Sequence, residues 1–168
     1  RQRQMCIRDR DMRDAVAMVR RVEQRSGRNV GIVVKLETLE SMQNLPDILL
    51  ELMKHERVGV MVARGDMAAE LGIMHMVEAP RYVVNLCQAA QLPVIIGSNI
   101  LETLTDAGQP TRAEVTDAAW AQQAECVMLN HGKHMVETVE AVGALLSAMD
   151  GVQRKNQSLL PSLHEWKR

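Results

Sequence analysis

The chain has 168 residues, of which 46% are hydrophobic and 24% are charged, a composition typical of a globular protein with a sizeable core rather than a disordered one. Its 20 basic and 21 acidic residues are spread along the sequence and give a formal net charge of -1, which argues against a surface for nucleic acid or anionic lipid. Aromatic residues make up only 2% of the chain, which excludes base-stacking platforms.

The cysteines and the apolar segments indicate the compartment. Cys6, Cys87 and Cys126 stand far apart and lack C-x-x-C or zinc-site spacing, so we expect buried thiols in a reducing cytoplasm. No apolar stretch approaches the roughly 20 residues of a membrane span, and no signal-peptide hydrophobic region follows the basic start. A cytoplasmic protein that contacts neither membrane nor nucleic acid is therefore expected.

Three segments of different character divide the chain. Residues 1–10 (RQRQMCIRDR) follow neither helical nor strand periodicity, and we interpret them as a non-native leader. Residues 11–150 carry the periodic pattern of a folded domain. Residues 151–168 form a C-terminal tail that is mostly polar and could pack as a short helix.

From Asp11 onward, segments with helical periodicity alternate with short apolar segments typical of strands. The first helix begins near Asp11 and ends before Gly27, a common helix stop. Later helices are predicted at 46–55, at about 80–91, from a Thr111-x-x-Glu114 capping box to 124, and after Lys133 to about 149. Strands are predicted at 30–34, 58–63, 94–97 and 126–129, as apolar runs typical of strands buried on both faces of a parallel sheet.

The alternation of strands and helices predicts an α/β fold. Strands recur about every 30 residues with a helix between each pair, which fits right-handed β-α-β units of either a doubly wound sheet or a barrel. Polar residues follow every strand, as in (β/α) TIM barrels, and the glycine-rich turn of a dinucleotide-binding sheet is missing from the sequence. We therefore predict about four parallel strands of a half barrel. Its open edges require either the rest of the barrel or pairing of two copies in a homo-oligomer.

Charged residues at two neighbouring strand ends form the main candidate site. Lys35 and Glu37 are two residues apart, so their side chains point to one face, and Asp66 follows the next strand. Two carboxylates from adjacent strands suit Mg²⁺ or Mn²⁺, with Lys35 as a fixed cation beside the metal. The alternative is structural, with Lys35 and Glu37 as an ordinary ion pair and Asp66 as a helix N-cap.

Five segments resemble pyruvate kinase in the same order and at compatible intervals. The most specific pieces are ARGD, within GVMVARGDMAAE at residues 59–70, and PTRAE, within PTRAEVTD at residues 110–117. The others are VVKLET at 33–38, PVIIGSNILE at 93–102 and AECVML at 124–129. The resemblance covers nearly all of residues 11–150 and implies the second half of the catalytic TIM barrel. It also implies phosphoryl transfer from phosphoenolpyruvate to ADP, giving pyruvate and ATP.

The resemblance assigns the charged residues of the strand ends. Lys35 corresponds to the lysine that stabilises the phosphoryl group in flight, a task that a fixed cation performs well. Glu37 and Asp66 correspond to the two protein ligands of the divalent metal, Mg²⁺ or Mn²⁺, and Asp66 also borders the substrate. A potassium ion is implied for the complete parent protein.

The resemblance also assigns the substrate contacts. The backbone of Ala63, Arg64 and Gly65 resembles the turn that receives the carboxylate of phosphoenolpyruvate, where glycine permits close approach. Ser98 stands where the family usually has threonine, and its hydroxyl is expected to join the proton relay to the enolate carbon. Glu114 matches a motif glutamate, but the capping box explains it sufficiently.

Two loops depart from the family pattern. Ser98-Asn99 replaces the commoner Thr-Gln, and the segment from Asn130 to His134 replaces a Ser-Gly-Glu-Thr-type loop. Gly132 and Lys133 near a helix start could still hold phosphate. His131 and His134 fit a metal site less well than an exposed loop pair, because no third ligand is adjacent. The remaining histidines, His55, His75 and His164, have no partner in the sequence pattern, and a structural or surface role is expected.

Three functions remain open from the sequence. The early barrel strands that supply nucleotide and potassium contacts in the family, its lid domain and its regulatory C-terminal domain have no counterpart among these residues, so we expect the isolated chain to lack kinase activity. A second hypothesis is a Mg²⁺-dependent lyase or aldolase acting on pyruvate or a related keto acid. A third is a non-catalytic barrel remnant.

Overall fold

Four short strands pair side by side in one parallel sheet. A computed structural model describes the backbone of residues 8–153 and the side chains of residues 8–149. The strands are β1 (Ile32–Leu36), β2 (Val58–Ala63), β3 (Val94–Gly97) and β4 (Cys126–Val127), and each pairs with the next in chain order. A doubly wound sheet reverses its strand order at a switch point, whereas a barrel does not. The sequential order therefore confirms the predicted half barrel.

Helices separate the strands, and five of them were predicted from the sequence. The helices are α1 (Asp9–Ser26), α2 (Leu39–Gln43), α3 (Leu45–Leu52), α4 (Arg64–Leu71), a 3-10 helix (Ile73–Val77), α5 (Ala79–Ala89), α6 (Glu102–Ala107), α7 (Arg112–Ala121) and α8 (Met135–Gln153). The prediction missed α2, α4, the 3-10 helix and α6. Each of these has at most 8 residues and lacks an N-terminal proline of the kind that marked α3.

The boundaries of the first and last helices differ slightly from the predictions. Helix α1 begins at Asp9, so the last two residues of the segment interpreted as a leader are helical, and it ends before Gly27 as predicted. Helix α8 continues to Gln153 and takes in the start of the predicted tail. The origin of residues 1–10 stays a prediction, and the short helix predicted for the tail lies beyond the described residues. No helix within residues 8–153 is long and apolar enough to cross a membrane.

Two faces of the sheet have different burial. One row across the sheet, Leu36, Val62 and Ile96, belongs to the hydrophobic core that the helices complete. The neighbouring row contains Lys35, Met61 and Ile95, and all three are half-buried. This second row lies on the inner face of the incomplete barrel. Side chains alternate between the two faces of a strand, so the same register that fills the core also leaves this face open.

Two burial predictions for the edge strands are wrong. Val33 in β1 is 53% exposed, so this strand is not buried on both faces. Cys126 in β4 is also exposed, because β4 is an edge strand with no further strand beyond it in the described part of the chain. Cys87 in α5 is buried as predicted, and its burial, with a smaller contribution from the charge of Glu125, raises its pKa to about 12. Cys6 lies outside the described residues.

The capping box fixes the start of α7. The Thr111 hydroxyl accepts a hydrogen bond from the Glu114 amide at 3.2 Å, and Glu114 accepts the Thr111 amide at 2.9 Å. Glu114 also accepts the Thr103 amide at 2.6 Å, which ties α7 to α6. Partial burial pushes the pKa of Glu114 upward, but the hydrogen bonds from Thr111 and Thr103 lower it by more. The predicted box is thus confirmed, and it also joins two helices.

We expect Thr111→Ala to lower the free energy of unfolding by about 1 kcal/mol, because one amide of the first turn loses its acceptor. Urea unfolding followed by circular dichroism measures this change. Thr116→Ala is the matched control, since that hydroxyl contacts only backbone carbonyls of the preceding turn. Equal losses in the two variants would show that the cap does not stabilise α7.

Candidate active site

The ammonium group of Lys35 lies between two carboxylates at the carboxyl end of the sheet. Its Nζ contacts Oε2 of Glu37 and lies 2.6 Å from Oδ2 of Asp66. The parallel pairing of Leu36 with Val62 brings these groups together, because it sets the residues that follow β1 beside those that follow β2. One cation therefore contacts both carboxylates, and the three side chains converge as expected from the sequence.

Burial differs among the three charged groups. Glu37 is buried, whereas the Asp66 side chain is 55% exposed and that of Lys35 is 36% exposed. Partial burial is the largest single influence on Lys35 and lowers its pKa, but the hydrogen bonds and charges of Asp66 and Glu37 together raise that pKa by more. The ammonium is therefore firmly protonated at neutral pH, and it offsets the repulsion between the two carboxylates.

The structural alternative for these residues is borne out only in part. The ion pair between Lys35 and Glu37 is present. The N-cap of α4, however, is Ala63, and Asp66 occupies the third helical position. The prediction of Asp66 as an N-cap is therefore wrong. As an acid in the first turn, Asp66 still interacts favourably with the helix dipole.

Gly65 in the first turn of α4 touches Ser98 after β3. The Gly65 amide donates to Ser98 Oγ at 3.3 Å, and a Cβ at position 65 would lie 3.0 Å from that oxygen. A larger residue would force the two segments apart, so glycine is needed for this close approach. Gly65, Ser98 and the side chain of Arg64 also line a cleft of about 470 Å³, a volume within the usual range of ligand pockets. Lys35 and Glu37 are not part of its wall.

One protein family matches most of the chain. Residues 8–139 match the family model described as pyruvate kinase, barrel domain. The chain belongs to the pyruvate kinase family. The match begins just before α1 and ends within α8, so it includes all four strands and the three charged residues at their ends.

Curated relatives and a solved structure agree with this assignment. The chain is 34% identical over 136 residues to the chloroplastic pyruvate kinase isozyme G of Nicotiana tabacum, which covers 77% of this chain and 23% of that protein. It is 36% identical over 133 residues to the pyruvate kinase of Leishmania mexicana, covering 76% and 26%. A crystal structure of a pyruvate kinase from Cryptosporidium parvum aligns with a TM-score of 0.79 at 26% identity, covering 88% of this chain and 30% of that one. The chain thus spans about a quarter of the length of these curated relatives.

The loop before α8 is packed against α6. A Cβ on Gly132 would lie 2.4 Å from Cγ2 of Thr105 and 2.6 Å from its carbonyl oxygen, so close packing explains the glycine without a ligand. Lys133 is exposed beside it. His134 is half-buried against Gly108, with Nδ1 3.7 Å from Glu137, and so it is not simply an exposed loop residue. Within residues 8–149, no group of three or more His, Cys, Asp or Glu side chains could hold a metal ion.

Two histidines have partners that their sequence positions did not reveal. His55 is buried, and its Nε2 lies 2.8 Å from the carbonyl oxygen of Val30, which explains it as a structural residue. His75 is exposed and lies 2.9 Å from Glu78. These contacts agree with the expected structural and surface roles. His164 lies outside the described residues.

Sequence reasoning missed two acidic residues around the site, Asp117 and Glu102. Asp117 contacts the guanidinium of Arg64 at 2.5 Å, although the two residues are 53 positions apart. Asn130 donates to Asn99 at 3.4 Å and to Glu102 at 3.3 Å. Asp117 lies inside the segment that resembles the family, but a single acid in a helix gives no signal of its partner. These contacts link the ends of β2, β3 and β4.

We expect Lys35→Met to lower the free energy of unfolding by about 1 kcal/mol at pH 7, the upper end for a partly exposed pair. The raised pKa means that the contribution of Lys35 is fully present below its ordinary value of 10.5 and is lost as the pH rises through the raised value. The difference between the variant and wild type should therefore narrow as the pH rises above 10.5.

Urea unfolding at pH 7 and at a pH above 10.5 measures both effects. Lys54→Met is the control for the loss of a lysine ion pair elsewhere, because Lys54 follows α3 and pairs with Glu51 away from the site. A loss that stays constant between the two pH values would contradict the electrostatic explanation.

Proposed function

We propose that this chain carries the metal and enolate side of a pyruvate kinase active site. Its parent protein then transfers the phosphoryl group of phosphoenolpyruvate to ADP, giving pyruvate and ATP. The observation that carries the proposal is the ammonium of Lys35 in contact with both Glu37 and Asp66. Membership of the pyruvate kinase family supports it.

Glu37 and Asp66 fit a divalent metal. Both carboxylates contact one nitrogen atom, so both are within reach of a single cation. Two carboxylates are a hard, all-oxygen ligand set of the kind that Mg²⁺ or Mn²⁺ prefers, and they leave positions for water and substrate oxygens. When bound, the metal neutralises the charge on the oxygens of the substrate.

Lys35 would act on the phosphoryl group. Its raised pKa keeps it charged at neutral pH, and β1 holds its side chain at the mouth of the barrel. A fixed cation there stabilises the negative charge on the oxygens of the transferred group, which is the main task of catalysis in phosphoryl transfer. The exposed Lys133 is proposed, with the Gly132 backbone, as a further phosphate contact.

Ser98 and the turn at Ala63, Arg64 and Gly65 would hold the three-carbon acid. The hydrogen bond from the Gly65 amide to Ser98 is 3.3 Å long, which is longer than usual and therefore weak. A fully charged substrate carboxylate would compete well with Ser98 for this amide. Because Ser98 Oγ accepts from this amide, its own proton is available for donation. Protonation of the enolate carbon through Ser98 is the expected use.

The melting temperature with ligands tests the metal assignment. We expect Mg²⁺ plus oxalate, an enolate mimic, to stabilise the chain by about 2.7 kcal/mol at a ligand concentration of 100 times the Kd. Glu37→Gln and Asp66→Asn should each abolish the ligand-induced increase in melting temperature, because a carboxylate ligand is lost. Asp47 is an acid in the first turn of α3, and the control variant Asp47→Asn should keep the ligand-induced increase in melting temperature. An increase retained in both site variants would remove the assignment.

We expect the isolated chain to form no ATP from phosphoenolpyruvate and ADP. A TIM barrel builds its site from eight strands, and residues 8–153 contribute four, so the nucleotide is not held opposite the enolate. A coupled assay with Lys35→Met as the background control measures this. ATP formation by the wild-type chain above that background would contradict the expectation.

One departure from the family pattern favours a second candidate function. Ser98-Asn99 replaces the commoner Thr-Gln at the end of β3, beside the turn that would hold the substrate. A Mg²⁺-dependent lyase or aldolase acting on pyruvate or a related keto acid would use the same metal and enolate site. Release of pyruvate from a keto acid by the complete parent, without nucleotide, would support this candidate over the kinase.

A further inference from the structure

The side chain of Arg64 connects three elements at the carboxyl end of the sheet. It starts at the first residue of α4, donates from Nη2 to the Ser98 carbonyl at 3.1 Å, and donates from Nη1 to Asp117 at 2.5 Å. The Arg64 side chain is only 13% exposed. Its Nε is buried and has no hydrogen-bond partner among the described residues, so the two Nη contacts alone orient the guanidinium.

The segment that Arg64 contacts has an unfavourable backbone conformation. Asn99 and Leu101, which follow Ser98, have φ angles of 58° and 50°. Left-handed φ values are unfavourable for residues other than glycine, and they persist only where surrounding contacts hold them. The charged hydrogen bond from Arg64 to the Ser98 carbonyl is one such contact, and the Gly65 amide provides another.

Asp117 is not needed to dock α7 on the barrel. Glu114 already ties the start of α7 to Thr103 in α6, and Ala118 and Ala121 are buried in the core. The carboxylate of Asp117 instead lies on the wall of the 470 Å³ cleft, where it meets the guanidinium of Arg64. Its contact with Arg64 is therefore directed at the site rather than at the packing of the helix.

We propose that Asp117 is a positioning residue for the active site. Its carboxylate fixes the guanidinium of Arg64, and Arg64 in turn fixes the Ser98 carbonyl. The Ser98 hydroxyl is thereby held against the Gly65 amide. The catalytic meaning of Ser98 rests on the proposed function, whereas the mechanical connection from Asp117 to Gly65 does not.

Ligand affinity in a double-mutant cycle tests the catalytic part of the proposal. We expect Asp117→Asn to weaken binding of Mg²⁺ plus oxalate by about tenfold, the loss typical of residues that orient a ligand-contacting group, as measured by isothermal titration calorimetry. Arg64→Gln should weaken binding by about the same factor. The double variant should lose no more affinity than either single variant, because the two residues act in series. Additive losses would overturn the proposal.

Two control variants separate positioning from stability and charge. Thr111→Ala removes the cap of the same helix without touching Arg64, and Glu70→Gln removes a negative charge from α4. Both should keep the wild-type affinity. An equal loss of affinity in Thr111→Ala would show that Asp117 acts only through the stability of α7.

Amide hydrogen exchange tests the mechanical part without any ligand. In Asp117→Asn the Gly65 amide should exchange several-fold faster, while the amide of the core residue Val62 keeps its wild-type rate. If the wild-type chain fails to bind Mg²⁺ plus oxalate, the proposed function is wrong. The exchange rate of the Gly65 amide still tests whether Asp117 holds this turn. Wild-type exchange at Gly65 in Asp117→Asn, or equal acceleration at Val62, would overturn the proposal.

Discussion

The contact of one ammonium with two carboxylates depends on the register between β1 and β2. Parallel pairing sets Lys35 beside Met61 on the inner face of the sheet, and Glu37 follows two residues later on the same face. A slip of one residue would turn Lys35 into the hydrophobic core and move Leu36 out of it. The burial of Leu36 therefore holds the charged group at the barrel mouth, so hydrophobic packing and site chemistry share one cause.

The same alternation explains why half a barrel has an incomplete inner face. Val33 is exposed, and Met61 and Ile95 are half-buried, because residues 8–153 place no strand across from them. In a closed barrel, side chains from all strands fill this interior in layers. The apolar residues of the inner face therefore require cover, by further strands of a parent protein or by a second copy. The polar residues at the strand ends do not, since they face the mouth.

Local sequence patterns predicted the elements that depend on local forces. The strands β2 and β3 and the capping box of α7 were correctly predicted, because apolar runs and a Thr-x-x-Glu pattern specify them within a few residues. Strand β1 lies two residues later than predicted, since its start is set by pairing of Ile32 with the end of the α3–β2 loop. The contact between Arg64 and Asp117 joins residues 53 positions apart, and no local pattern reports it.

The two departures from the family pattern contact each other. Asn99 stands in the loop after β3 and Asn130 in the loop after β4, and the Asn130 amide reaches Asn99 at 3.4 Å and Glu102 at 3.3 Å. A change in one loop alone would leave a polar group of the other without its partner, which is costly when partly buried. The contact therefore couples the conformations of the two loops. Both loops lie on the β3–β4 side of the mouth, away from the charged residues that follow β1 and β2.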